Sequence, residues 1–171
     1  MNNIEPFIRD INDFPKPGIV FKDLTPLLNN PAATASCLQQ LLTLVGDKPV
    51  DKVVGMEARG FFFGMLIAQA LNAGFVPVRK PGKLPHHTLT ETYALEYGTD
   101  SLEIHEDAIK PGDRVLIHDD VLATGGTAAA VCKLVERLGG EIVQCNFIMQ
   151  LDFLDGKARL KGYDVGSVLT Y

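Results

Sequence analysis

Two adjacent carboxylates, Asp119 and Asp120, stand a few residues ahead of Thr124-Gly125-Gly126-Thr127 in the segment RVLIHDDVLATGGTAAA (114–130). Glycines at such a point let backbone N–H groups turn toward an anion, and a helix opening there adds its N-terminal dipole. The hydroxyls of Thr124 and Thr127 supply further donors to phosphate oxygens. Two carboxylates beside a phosphate cradle repel the same anion, so their presence needs a reason. Ribose hydroxyls that donate to them, or a Mg²⁺ ion held directly or through water, would provide one. Both point to a sugar phosphate. The plainer alternative is an acidic turn that caps a helix. No GxxxxGK[ST] occurs and no GxGxxG follows a strand, which disfavours ATP hydrolysis and dinucleotide binding.

Four cations, Arg59, Arg79, Lys80 and Lys83, lie in two nearby segments. Charge runs are usually solvated surface. Arg59 departs most from that default, because the residues after it are apolar. His86 and His87 are adjacent, but no carboxylate or cysteine is spaced to complete a metal site. His118 sits inside an apolar run and reads as a core histidine. None of the three is assigned a role.

These residues need elements to hold them. Asn30 as N-cap, Pro31 in the first turn and Gly46 at the stop mark a helix. Residues 50–56 read as a strand, 61–71 as a helix and 75–78 as a second strand. Residues 114–118 are apolar on both faces, as in a strand covered by helices on either side. Residues 128–138 are helical up to Gly139-Gly140, and 141–149 return as a strand. Alternation of strand and helix predicts an α/β domain with a mainly parallel sheet, whose ligands bind beyond the carboxyl ends of the strands. The polar segment from Lys80 to Asp100 breaks that rhythm. A connection this long is more often a functional flap than filler, and 88–95 have the composition of an exposed β-ribbon.

At 171 residues the chain is one domain's worth, and 46% hydrophobic with 22% charged residues is ordinary globular composition. A formal charge of −5 argues against a nucleic-acid binder. The longest uncharged stretch, 60–78, is broken by Gln69, Asn72, Gly74 and Pro77, so no membrane span is expected. Cys37, Cys132 and Cys145 are odd in number and far apart, which predicts free thiols in a reducing compartment. With no secretory signal in the first residues, the expected location is the cytoplasm.

VLIHDDVLATGGT resembles the 5-phosphoribosyl 1-pyrophosphate (PRPP) motif of the type I phosphoribosyltransferases, and its ATGGT form is similar to that of the adenine-using members. FPKPGIVFKDLTPLL (14–28), EARGFFFG (57–64), RKPGKLP (79–85), YALEYG (93–98) and PGDRVLIHDD (111–120) match family segments in order. The resemblance covers essentially the whole chain.

The resemblance implies one phosphoribosyltransferase domain over 1–171, with a small hood at about 1–30 and a flexible catalytic loop at about 80–102. The implied reaction is a pentosyl transfer of purine salvage: adenine and PRPP give AMP and pyrophosphate. Ala123, Thr124, Gly125, Gly126 and Thr127 would cradle the 5′-phosphate. Asp119 and Asp120 would face the ribose hydroxyls and the Mg²⁺ shell, with the metal held mainly through PRPP and water. Arg59, Arg79, Lys80 and Lys83 would meet pyrophosphate, Lys83 across the boundary of a homodimer. Glu96 would take the N7 proton of adenine as N9 attacks, and Tyr97 would gate the loop. Relatives that use 6-oxopurines carry an aspartate base where this chain has Ala123, which agrees with a base elsewhere. Backbone groups at Val20, Phe21 and Lys22 would read the adenine edge. Three departures from the family pattern stand out. Lys22 replaces a frequent arginine, Glu57-Ala58 a frequent Asp-Ser, and His118 an aliphatic residue. A different purine, or a non-catalytic PRPP sensor on the same fold, are the competing readings.

Overall fold

The computed structural model describes residues 3–94 and 98–171. A short 3₁₀ turn, Glu5–Phe7, leads into a hairpin of β1 (Arg9–Asn12) and β2 (Val20–Asp23). Ion pairs knit it: Arg9 to Asp23 at 2.8 Å and Lys22 to Asp10 at 2.6 Å. Helix α1 (Thr25–Leu28) follows, then α2 (Pro31–Val45). The N-cap of α2 forms as its sequence requires, with Asn30 Oδ1 accepting from the Ala33 N–H at 3.0 Å.

The next elements are β3 (Lys52–Met56), α3 (Gly60–Ala70) and β4 (Gly74–Val78). Then come β5 (Thr88–Ala94) and β6 (Thr99–His105), β7 (Arg114–Leu122), α4 (Gly126–Arg137), β8 (Glu141–Gln150) and β9 (Val165–Thr170). Five strands form a parallel sheet in the order β4-β3-β7-β8-β9. Side chains alternate across it. Val53, Leu116 and Ile148 pack with Leu41, Val45, Phe63 and Ile67 of α2 and α3. Val54, Ile117 and Phe147 pack with Val131, Leu134 and Val135 of α4 on the other face. The sheet is therefore covered on both sides, which is why its central strands are apolar at consecutive positions.

The segment 80–102 does carry the ribbon that its composition suggested: β5 pairs antiparallel with β6, from Thr88 opposite His105 to Ala94 opposite Thr99. It is anchored rather than free-standing. Leu102 and Ile104 are buried in the α4 core, and Arg137 of α4 donates to the Thr90 carbonyl at 2.8 Å and to Glu91 at 3.1 Å.

Three sequence expectations are corrected. β7 does not end at His118 but runs on to Leu122, with Asp119 opposite Phe147 and Leu122 opposite Gln150. Two carboxylates can sit within a strand because the partner strand satisfies their backbone while the side chains reach a crevice. The helix expected over 128–138 opens two residues earlier, at Gly126, directly on the glycine pair. Strand β9 was not foreseen: Val165–Thr170 is a half-buried edge strand without a strong apolar run.

Candidate active site

The crevice lies beyond the carboxyl ends of β3, β7 and β8. At its floor the strand β7 turns through Ala123, Thr124 and Gly125 into α4. Gly125 has φ +76° and is the N-cap, a conformation that favours glycine. The turn is also pressed against a second one. A Cβ at Gly125 would lie 2.3 Å from the Gly156 carbonyl oxygen, and a Cβ at Gly156 would lie 2.1 Å from that of Ala123. A small cavity of about 70 Å³ opens here, lined by Asp119, Leu122 to Gly125, Thr127 and Phe147. With the amides of α4's first turn beside it, it has the size and polarity of a phosphate cradle.

A larger cavity of about 540 Å³ shares Asp119, Val121, Ala123 and Thr124 with the cradle and continues past Asp120 and Arg59 to the hairpin. Its far wall is Ile19 to Lys22, and its outer wall is Leu151, Phe153 and Leu154. Val20, Phe21 and Lys22 thus meet the phosphate loop and the two carboxylates across one volume. The Lys22 side chain is engaged away from it, by Asp10 and by the face of Tyr171 at 4.0 Å. The Phe21 ring lines the cavity with the Arg59 guanidinium 5.5 Å from its centroid. Ile19, Leu151, Phe153 and Leu154 were missed from sequence. The usable signal was position: residues 151–154 follow the end of β8, next to the strand that carries the carboxylates.

Asp120 is nearly buried, and Arg59 Nε lies 2.7 Å from its Oδ2. Burial raises Asp120 above the usual carboxylate range, with the Arg59 guanidinium opposing the rise. Burial and the adjacent Asp120 charge raise Asp119 further. Two crowded carboxyls thus stand beside one guanidinium at the mouth of the cradle, an arrangement a further cation would relieve. That crowding and the hard oxygen donors fit Mg²⁺. Among the described residues no three His, Cys, Asp or Glu side chains are grouped to hold a metal, so its other ligands would be diphosphate oxygens and water.

Arg79, Lys80 and Lys83 do not line this cavity. They gather instead on Glu57, in the turn between β3 and α3 that also carries Arg59. Glu57 accepts from the Lys80 N–H at 2.7 Å and from Arg79 Nε at 3.3 Å, and pairs with Lys83 Nζ. Burial tends to raise Glu57, but the bonds from Lys83, the Lys80 amide and Arg79 outweigh it and hold the carboxyl below its ordinary value. Lys80 Nζ pairs with Asp100 of the ribbon.

The ribbon meets the cradle through Tyr93. Thr127 Oγ1 donates to the Tyr93 hydroxyl at 3.3 Å, which donates to Asp100 at 3.2 Å. A Cβ at Gly126 would lie 3.8 Å from the Ala94 carbonyl and 3.4 Å from Arg159 Nη1. Tyr93, Asp100 and Arg159 had no signal in sequence, because only the fold brings the ribbon, α4 and the 156–160 turn together. Glu96 and Tyr97, expected as base and gate, lie outside the described residues. His118 is confirmed as a core residue, fully buried with Nδ1 2.8 Å from Asn146 Oδ1.

A family model described as the phosphoribosyl transferase domain matches residues 24–165. An adenine phosphoribosyltransferase of Flavobacterium johnsoniae is 66% identical over 98% of this chain and 99% of its own length. The crystal structure of the adenine phosphoribosyltransferase of Thermoanaerobacter pseudethanolicus superposes with a TM-score of 0.96 at 52% identity, covering 98% of both chains. That of the Saccharomyces cerevisiae enzyme, complexed with an imino-altritol bisphosphate and adenine, superposes at 0.92 with 41% identity over 97% of this chain and 96% of its own. On the strength of its sequence, its sheet order and its strand-end crevice, the chain belongs to the phosphoribosyltransferase family, among the adenine phosphoribosyltransferases.

Proposed function

We propose that the chain joins adenine to PRPP, releasing AMP and pyrophosphate, within the single cavity that runs from the hairpin to the phosphate loop. The observation that carries this reading is the continuity of that volume: a base-sized apolar end at Ile19 to Lys22 and Phe153, carboxylates in the middle, and a phosphate cradle at the floor. The 5′-phosphate is bound by the amides and hydroxyls of residues 123–127. Asp119 and Asp120 accept from the ribose hydroxyls and take part in the Mg²⁺ shell. Adenine lies by Phe21, its edge read by main-chain N–H and C=O of Val20 and Lys22, a pattern that a 6-oxo group would invert.

Displacement at the anomeric carbon builds oxocarbenium character on the sugar and negative charge on the departing diphosphate. Mg²⁺ would neutralise part of that charge when bound. Arg59, Arg79, Lys80 and Lys83 take the rest. Glu96 accepts the proton from N7 as N9 attacks, and Tyr97 gates the ribbon.

A homodimer completes the reading. Phe62 and Met65 are 53% and 56% exposed on one face of α3, whose N-terminus follows Arg59 directly. A second copy seated on that apolar face would bury it and bring its own Lys83 segment toward the pyrophosphate side. The cytoplasm is the compartment that fits an enzyme with three reduced thiols; no described helix is long and apolar enough to cross a membrane.

The test is turnover of the purified protein with PRPP, Mg²⁺ and each of adenine, guanine, hypoxanthine and xanthine. AMP formation with adenine alone is expected. Turnover of another base instead would move the assignment within the family, and PRPP binding without any turnover would make the chain a sensor.

A further inference from the structure

Every cation assigned above to pyrophosphate already has a carboxylate partner. Arg59 lies on Asp120, Lys80 on Asp100, and both Arg79 and Lys83 on Glu57. Asp120 has the ribose to serve and Asp100 belongs to the ribbon, but Glu57 has no duty toward substrate. Its carboxylate is only 10% exposed, is anchored by the Lys80 amide, and occupies the space between two cations whose own side chains are 33% and 48% exposed. A single anion thus holds the two cations together.

We propose that Glu57 is a positioning residue that stands in for pyrophosphate: it keeps Arg79 and Lys83 gathered while no diphosphate is bound, yields them to the diphosphate they serve, in their own site or across the dimer boundary, and reclaims them as the product leaves. This rests on the assignment of Arg79 and Lys83 to pyrophosphate. The cations themselves are partly exposed, so a more highly charged diphosphate can draw them from the carboxylate, which takes them back when it leaves. Glu57 remains ionised throughout the neutral range, since its partners hold its carboxyl low. The net effect is weaker product binding and faster release.

Titration of pyrophosphate with Mg²⁺ into the wild type and into Glu57→Gln tests it. The amide still accepts from the Lys80 N–H but no longer competes for the cations. Pyrophosphate should bind roughly three- to tenfold more tightly, kcat should fall as release slows, and the KM for adenine should not move. A residue that merely supports the turn would loosen pyrophosphate binding when replaced, and unchanged or weaker binding overturns the proposal. Should Glu57→Gln fail to fold, Glu57→Asp keeps the charge but is too short to hold Lys83, and about twofold tighter binding is expected; no tightening is again a refutation. Lys83→Ala separates the two readings. If it leaves pyrophosphate affinity intact, the cation assignment itself is wrong; if it weakens binding while Glu57→Gln tightens nothing, only the stand-in role is lost.

Discussion

His118 stands one residue from the carboxylates and on the strand that carries them, yet it contributes through burial alone. Its Nδ1–H donates to Asn146 Oδ1, its Nε2 has no partner, and desolvation lowers the imidazole to about 4 against the bond to Asn146. The sign follows from linkage. In the unfolded chain the ring takes a proton below the ordinary imidazole value of 6.5, whereas the folded ring resists until about 4. Its stability contribution is present above 6.5 and is lost as pH falls toward 4. At about 1.4 kcal/mol per pH unit this amounts to about 3 kcal/mol. Chemical denaturation of the wild type and of His118→Gln at several pH values should show the wild type losing that much more between those limits. Parallel curves would mean the ring is solvated.

At the scale of elements, the phosphate loop is made by two turns that touch. Gly125 is confined by its positive φ and by the Gly156 carbonyl, while Gly126 starts α4 and a Cβ there would meet nothing closer than 3.4 Å. Gly125→Ala should therefore cost about 2 kcal/mol of stability from left-handed backbone strain and crowding, and raise the KM for PRPP at least tenfold. Gly126→Ala should change both far less. Equal effects in thermal unfolding and PRPP kinetics would show that loss of flexibility, rather than the approach of the 156 turn, is what matters. The pairing itself was invisible in the sequence, since Gly156 looks like any loop glycine until β8 carries the chain back across the cradle.

For the whole molecule, the net charge of −5 conceals a local order. Cations gather on Glu57 and Asp100 at one end, outside the cavity lining, and carboxylates sit mid-cavity at Asp119 and Asp120. The apolar face of α3 at Phe62 and Met65 borders that cationic end. If the proposed dimer uses this face, Met65→Lys should convert it to a monomer in sedimentation at micromolar concentration and lower activity by an order of magnitude or more, through loss of the neighbour's Lys83 proposed for each site. A wild type already monomeric, or a fully active monomeric variant, would dispose of the shared site.

The strand that carries Asp119-Asp120 and the glycine turn that opens the next helix were legible from residue types and spacing, because a glycine at positive φ before a helix is a local requirement. The helix of 31–45 was legible because its caps are local, and the parallel sheet because its strands are apolar on both faces. Glu96 and the backbone role of Val20 to Lys22 came from resemblance to a family, not from any pattern in those residues. What tertiary structure alone decided are the contacts between distant segments: Gly156 against Gly125, Phe153 and Leu154 as the wall of the base cavity, Tyr93 on Thr127, and the gathering of Arg79 and Lys83 on Glu57. Each joins residues more than 20 positions apart through side chains that have no periodic signature. Short segments were thus legible by themselves, while the gathering of Arg79 and Lys83 on Glu57 exists only once the strands align those segments at one edge of the sheet.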